Sequence, residues 1–280
     1  MSIRLIALDL DGTLVNSRWE ISEKDLDALA AACRQGIQIV LVTGRRPGGA
    51  APYVAQFPFP ITLITSNGAR IRTSTGEVVH QNYLPRAVAL QVLDVIQSYR
   101  PYTVAIFDLP KRGQVTMEGC AITEGPLGWY LRNNLDHLLL VPNLSAAVKS
   151  DPIQIMIGGP PARIEGAEAL LRASDAAPSI QLTWTKYPER NVAIFDIMNQ
   201  GCCKGQALKF WAARCGILSS EVMAIGDNFN DLEMLEFAGL PVVMGNHISG
   251  LPRPEWAITA ACDDSGVACA VEKFVLNAGQ

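Results

Sequence analysis

The sequence predicts an α/β protein whose core is an open parallel sheet with helices on both faces, interrupted by an inserted α+β domain. Three observations predict it. Short apolar runs alternate with helical patterns at both ends of the chain, each run ends in a polar string, and the middle loses this rhythm.

The first run, Ile3 to Leu8, is apolar enough for a strand buried on both faces, and it ends at Asp9-Leu10-Asp11-Gly12-Thr13. Ser22 then has the character of an N-cap, with Asp25 three residues on. Leu26, Leu29, Ala30 and Cys33 follow at the spacing of an amphipathic stripe, and Gly36 is a natural helix stop. A second strand, Ile37–Val42, ends at Thr43-Gly44-Arg45. After a Gly/Ala-rich helix, a third, Ile61–Thr65, ends at Ser66-Asn67-Gly68. Arg70–Arg72 and Glu77–His80 flank Ser74-Thr75-Gly76 as a hairpin. From 85 to 188, short strand candidates (Thr103–Phe107, Ile153–Ile157, Ile180–Trp184) mix with helical stretches (Ala87–Tyr99, Ala162–Ala173). This segment reads as the inserted domain, leaving 1–84 and 189–280 as the catalytic core. Beyond it come a helix from Lys204 and a strand Val222–Ile225 ending at Gly226-Asp227-Asn228-Phe229-Asn230-Asp231. A strand Leu240–Met244 and a helix Val267–Leu276 close the chain.

Composition narrows the function. With 49 % hydrophobic and 18 % charged residues the chain is globular rather than disordered. Its 280 residues suit one large domain or two smaller ones at about 150 residues each. A net charge of −4 builds no broad positive field, which argues against nucleic acid or an anionic membrane as main partner. Seven cysteines (33, 120, 202, 203, 215, 262, 269) form no CxxC pair and suggest a reduced, cytoplasmic protein. Only three histidines exist, none at zinc-ligand spacing from a cysteine pair. No secretory leader pattern and no apolar run of about 18–20 residues is present. Nothing sets an oligomeric state.

The distinctive polar groups all follow strands: Asp9 and Asp11, Thr43, Asn67, and Asp227 with Asn230 and Asp231. In open parallel sheets, ligands bind outside the carboxyl ends of the strands, so these loops predict one site. Carboxylates without histidine or cysteine are hard oxygen ligands suited to Mg2+. Thr43, Lys204 and the backbone amides of Gly12 and Gly44 are donors suited to phosphate. Metal, lysine and oriented donors together suit phosphoryl transfer, where catalysis is largely positioning and charge stabilisation.

These strings resemble the haloacid dehalogenase superfamily, specifically its Cof-type phosphatases, over essentially the whole length. Asp9–Leu14, Thr43–Arg45, Lys204-Gly205 with Ala207-Leu208, and Gly226-Asp227 through Asn230-Asp231 match its four motifs in order. Ser66–Ala69, Met244-Gly245-Asn246 and Asp264–Ala268 lie where this branch has similar strings. The resemblance implies a Rossmann-like core with an inserted α+β cap of class IIB type. It implies Asp9 as nucleophile, forming an aspartyl-phosphate, and Asp11 as general acid and base. It implies Mg2+ on Asp9, the Asp11 backbone carbonyl and Asp227, phosphate held by Thr43, the Gly44 amide, Lys204 and Asn230, and Asp231 orienting Lys204.

The expected substrate is a small phosphorylated metabolite, a sugar phosphate first, flavin mononucleotide or pyridoxal phosphate next. A phosphohexomutase and an aspartate-phosphorylated regulatory or binding module remain alternatives. Thr13 is expected to fix its loop, and Asn67 and Asn246 are either turn residues or substrate contacts. Cys202-Cys203 is expected to pack, with oxidation sensitivity as its other reading. His80, His137 and His247 are expected at the surface or in packing, with a specific contact open for His247. Lys149, Trp184, Lys186, Tyr187 and Arg190 are candidates to face the site from the insert, or plain surface residues.

Overall fold

The computed structural model describes residues 2–119 and 128–277; Cys120 lies outside them. In chain order, β1 (Leu5–Leu8), α1 (Glu23–Arg34), β2 (Gln38–Val42), α2 (Pro47–Val54) and β3 (Thr62–Thr65) alternate, then β4 (Arg70–Arg72) and β5 (Val78–Gln81) form the hairpin. Next come α3 (Arg86–Val95), β6 (Thr103–Ile106), β7 (Val115–Glu118), α4 (Gly128–Arg132), β8 (Leu138–Val141), α5 (Leu144–Ala147), β9 (Gln154–Gly159), α6 (Pro161–Arg172), β10 (Ile180–Tyr187) and β11 (Val192–Asn199). The chain ends with α7 (Lys204–Arg214), β12 (Val222–Gly226), α8 (Leu232–Phe237), β13 (Leu240–Val243), β14 (Ala257–Ile258) and α9 (Gly266–Val271). Two compact units result, Met1–Gln81 with Cys203–Gln280, and Asn82–Cys202.

The first unit is an α/β sandwich on a sheet of order β14-β13-β12-β1-β2-β3-β4-β5. Its six strands from β14 to β3 pair in parallel, and the hairpin continues the sheet antiparallel. Side chains alternate between faces, which is why the runs had to be apolar throughout. Ile6, Leu8, Ile39, Leu41, Met223 and Ile225 face α1 and α9. Leu5, Ala7, Val40, Val42, Val222 and Ala224 face α7 and α8. The chain leaves β1 toward β2 and returns on its other side as β12, so the carboxyl ends of β1 and β12 flank a topological switch point.

Helix α1 starts as expected, with Ser22 Oγ accepting from the Asp25 amide. Its buried face is turned about one position from the predicted stripe: Asp25, Ala28, Leu29 and Ala32 are inside, with Leu26 and Cys33 at the margin. Asp25 causes the difference. Its carboxylate accepts from Ser22 Oγ at 2.6 Å and from the Ala268 amide at 2.7 Å, tying α1 to the start of α9. Gly36 takes the left-handed conformation (φ 85°) that ends the helix.

The second unit is α+β, with one sheet of order β10-β11-β9-β6-β7-β8, antiparallel except for β7 with β8. Helices α3 and α6 share its hydrophobic layer with Ile155, Ile157, Phe195 and Ile197. The sequence reading ends this domain at 188, whereas the structure carries it to 202. The run after Val192 is read there as core-like; as β11 it pairs along its length with β10 and β9 in this unit's own sheet. Trp184 is half-buried: it stacks on Phe195 at 4.4 Å and donates to Glu168.

Asp25→Ala takes the acceptor from the Ala268 amide and one of two partners from the Ser22 hydroxyl, which keeps Ser265 Oγ. A loss of about 1–3 kcal/mol is expected, read from the midpoint of urea unfolding at unchanged slope.

Candidate active site

Register brings the loops together. Leu8 pairs with both Leu41 and Ile225, so Asp9, Thr43 and Asp227 emerge at the same sheet edge, and the Asp9 amide donates to the Ile225 carbonyl. Lys204 opens α7 and is fully buried. Its ammonium donates to Asp9 Oδ1 at 2.5 Å and to Asp231 Oδ1 at 2.6 Å. A lysine in a helix's first turn opposes the helix dipole, and here two carboxylates offset that cost. The other oxygen of Asp231 accepts from the amides of Asp227 and Asn228 at 3.0 and 3.1 Å, so both its oxygens are engaged. Asp227 is held by Thr13, whose hydroxyl donates to Oδ1 at 3.0 Å, the loop-fixing role expected of it.

Glycines make this packing possible. Gly12 has φ 79°, and a Cβ there would stand 2.6 Å from Asp227 Oδ2. A Cβ on Gly226 would meet Asp231 at 2.6 Å.

Electrostatics follow from burial. Asp9 is pushed from about 3.8 up to about 7, by desolvation first, opposed by Lys204 and reinforced by Asp231 and Asp11. Desolvation, with repulsion from Asp231 and Asp9, also raises Asp227 well above the carboxylate range. Burial alone lowers an ammonium's pKa, yet Asp231 and Asp9 outweigh it and hold Lys204 above its ordinary range. Asp9, Asp227 and Asp231 have oxygens within 4.8 Å of one another and share one lysine, so negative charge is in excess. With Asp231 engaged on both sides, Asp9 and Asp227 are the carboxylates left for a cation. An all-oxygen donor set with surplus negative charge fits Mg2+.

Asp11 is held in an ion pair. Both its oxygens accept from Arg45, Nε to Oδ2 at 2.8 Å and Nη2 to Oδ1 at 2.6 Å. Arg45 is itself clamped, its Cζ 4.7 Å from the Tyr53 ring and 5.5 Å from the Trp19 ring, with Nη1 on the Gly49 carbonyl. Nothing local in the Thr43-Gly44-Arg45 string assigns Arg45 a role, because its partner Asp11 lies in another loop. The signal was an acid left without a counter-charge beside a motif that carried one.

Thr43 is buried, and its hydroxyl accepts from the Arg45 amide at 3.0 Å. Asn230 Nδ2 donates to Asn67 Oδ1 at 3.2 Å, and Gly44 lies against the same Asn67 amide. Asn246 is a loop tie, donating to the Gly12 carbonyl and accepting from the Cys262 amide, each at 2.8 Å. His247 Nδ1 sits 2.9 Å from the Ile248 carbonyl, and His80 lies against Phe210. Cys203 caps α7, its sulfur accepting from the Gln206 amide, and burial pushes its thiol up, which disfavours the reactive thiolate.

The model of the haloacid dehalogenase-like hydrolases matches residues 6–271 of this chain. The chain belongs to that family. It is 29 % identical over 287 residues to phosphatase YwpJ of Bacillus subtilis (strain 168), covering 95 % of this chain and 98 % of that protein. To pyridoxal phosphate phosphatase YbhA of Escherichia coli (strain K12) it is 27 % identical over 259 residues, covering 88 % and 89 %. Among solved structures, a haloacid dehalogenase-like hydrolase from Bacteroides thetaiotaomicron superimposes with a TM-score of 0.79 at 26 % identity, covering 98 % of this chain and all of that one. The chain is thus an enzyme, a phosphatase of the Cof type. Among the described residues no helix is long and apolar enough to cross a membrane.

Asp9 binds protons more tightly folded than unfolded, so its contribution to stability is full below about pH 4 and is lost as pH rises through about 7. Chelator-treated protein is expected to lose melting temperature from pH 5 to pH 8, less steeply in Asp9→Asn and less steeply again with Mg2+ present. Differential scanning fluorimetry across that range checks it.

Proposed function

We propose that this enzyme is a Mg2+-dependent phosphomonoesterase acting on a small phosphorylated metabolite through an aspartyl-phosphate on Asp9. The observation that carries the reading is the buried Lys204 ammonium held between Asp9 and Asp231, with Asp227 beside them. This arrangement keeps a carboxylate and a fixed cation together where an anionic ester can be met.

Asp9, the backbone carbonyl of Asp11 and Asp227 would hold the metal, whose positive charge offsets that of the carboxylates and the incoming phosphate. Thr43, the Gly44 amide, Lys204 and Asn230 hold the phosphoryl oxygens. The Asp9 carboxylate attacks phosphorus, and the bond from phosphorus to the leaving oxygen breaks. Asp11 gives that oxygen a proton. Water then attacks the phosphorus of the aspartyl-phosphate, Asp11 takes the water's proton, and inorganic phosphate leaves with Asp9 restored. Arg45 engages both oxygens of Asp11, which leaves one lone pair on each for the proton it moves. Asp231, engaged on both oxygens, fixes Lys204 rather than touching substrate.

Sugar phosphates head the substrate panel, followed by flavin mononucleotide and by pyridoxal phosphate, the compound named for YbhA. The six cysteines among the described residues are free, in keeping with a reduced cytoplasmic setting.

A phosphate-release screen over such a panel is expected to show turnover that needs Mg2+ and is abolished by chelator. Asp9→Asn is expected to lower kcat at least about 10³-fold, and Asp11→Asn about 10²–10⁴-fold. Near-full activity in Asp9→Asn would sink the mechanism. Isomerised sugar phosphate without free phosphate would point instead to a mutase.

A further inference from the structure

We infer that Asn67 is a positioning residue of the phosphate cradle, binding the Thr43–Gly44 loop to Asn230 and aiming the Asn230 amide into the site. The inference deepens the function proposed above and rests on the phosphate-binding role given there to Asn230.

Four observations carry it. Ser66, Asn67 and Gly68 have successive left-handed φ values of 51°, 50° and 104°, a conformation that side-chain-bearing residues other than asparagine and aspartate rarely adopt. Such a turn persists only where its surroundings hold it, and it is common at functional sites. Gly68 is pressed against the start of α7, where a Cβ would stand 2.4 Å from the Cys203 carbonyl oxygen, one residue from Lys204.

The turn also reaches two further loops. The Asn67 amide donates to the Thr43 carbonyl at 3.1 Å, and the Ser66 amide donates to the Arg45 carbonyl at 2.9 Å. On the side-chain end, Asn67 Oδ1 accepts from Asn230 Nδ2 at 3.2 Å and would lie 3.0 Å from a Cβ on Gly44.

Burial then decides what these contacts are for. Asn67 is 2 % exposed and Asn230 6 %, and Asn230 Oδ1 has no hydrogen-bond partner among the described residues. That oxygen only accepts, so it cannot meet a phosphate oxygen; the donor end, Nδ2, is the end that Asn67 holds. An NH2 group carries two hydrogens, so Asn67 takes one and fixes the plane in which the other is offered. A phosphate oxygen is an acceptor only, and the amide serves it only with nitrogen forward. Asn67 sets that orientation.

The test uses the full enzyme with Mg2+, p-nitrophenyl phosphate as substrate and inorganic phosphate as the probe ligand. Asn67→Gly keeps the left-handed backbone and removes only the side chain, and Asn67→Ala is made beside it in case the glycine variant fails to fold. Each is expected to weaken inhibition by inorganic phosphate about 10-fold and to raise KM more than it lowers kcat. Asn230→Ala is expected to do the same. Because Asn67 acts through Asn230, the double variant should be little worse than Asn230→Ala alone. Multiplied losses in the double variant, or unchanged phosphate affinity in both Asn67 variants while Asn230→Ala weakens it, would overturn the inference and leave the proposed function standing. Unchanged phosphate affinity in Asn230→Ala would overturn Asn230's place in that function, and this inference with it.

Discussion

One buried ammonium organises the α/β unit. Lys204 is fully buried, and its charge is tolerable only because Asp9 and Asp231 are brought to it from β1 and from the loop after β12. That requirement propagates outward. Asp231 needs the amides of Asp227 and Asn228, Gly226 must lack a side chain to admit Asp231, and Gly68 must lack one so that α7 can start where it does. Carboxylates in excess of cations leave the cluster short of positive charge, so binding of a divalent ion and stability of the fold are two readings of one imbalance.

Asp11 has a different counter-charge from Asp9, although its own charge still helps raise the pKa of Asp9. Its charge is met by Arg45, which is held in turn by Tyr53, Trp19 and the Gly49 carbonyl. Two aspartates two residues apart thus have different neighbours and different expected tasks.

The fold was legible because burial on both faces demands apolar runs, and β1, β2, β3 and β12 are mostly apolar. The site was legible because its polar residues end those runs. What stayed hidden was whatever depends on contacts distant in sequence. The turn of the α1 face came from Asp25 reaching Ala268, and the end of the inserted unit was missed because β11 is as apolar as a core strand. Arg45 and Asn67 stood in quoted strings, yet their partners Asp11 and Asn230 lie in other loops. No local pattern could pair them.

Strand order has a consequence for how the chain is made. β1 is among the first segments synthesised, but its neighbour β12 lies more than two hundred residues later, beyond the whole inserted unit. At about 5–20 residues per second, one edge of this central, wholly apolar strand waits on the order of ten seconds or more for its partner. A nascent chain therefore carries an open edge, and Asp9 without its lysine, until its last third emerges. That interval, rather than any weakness of the finished fold, is where aggregation threatens this protein most.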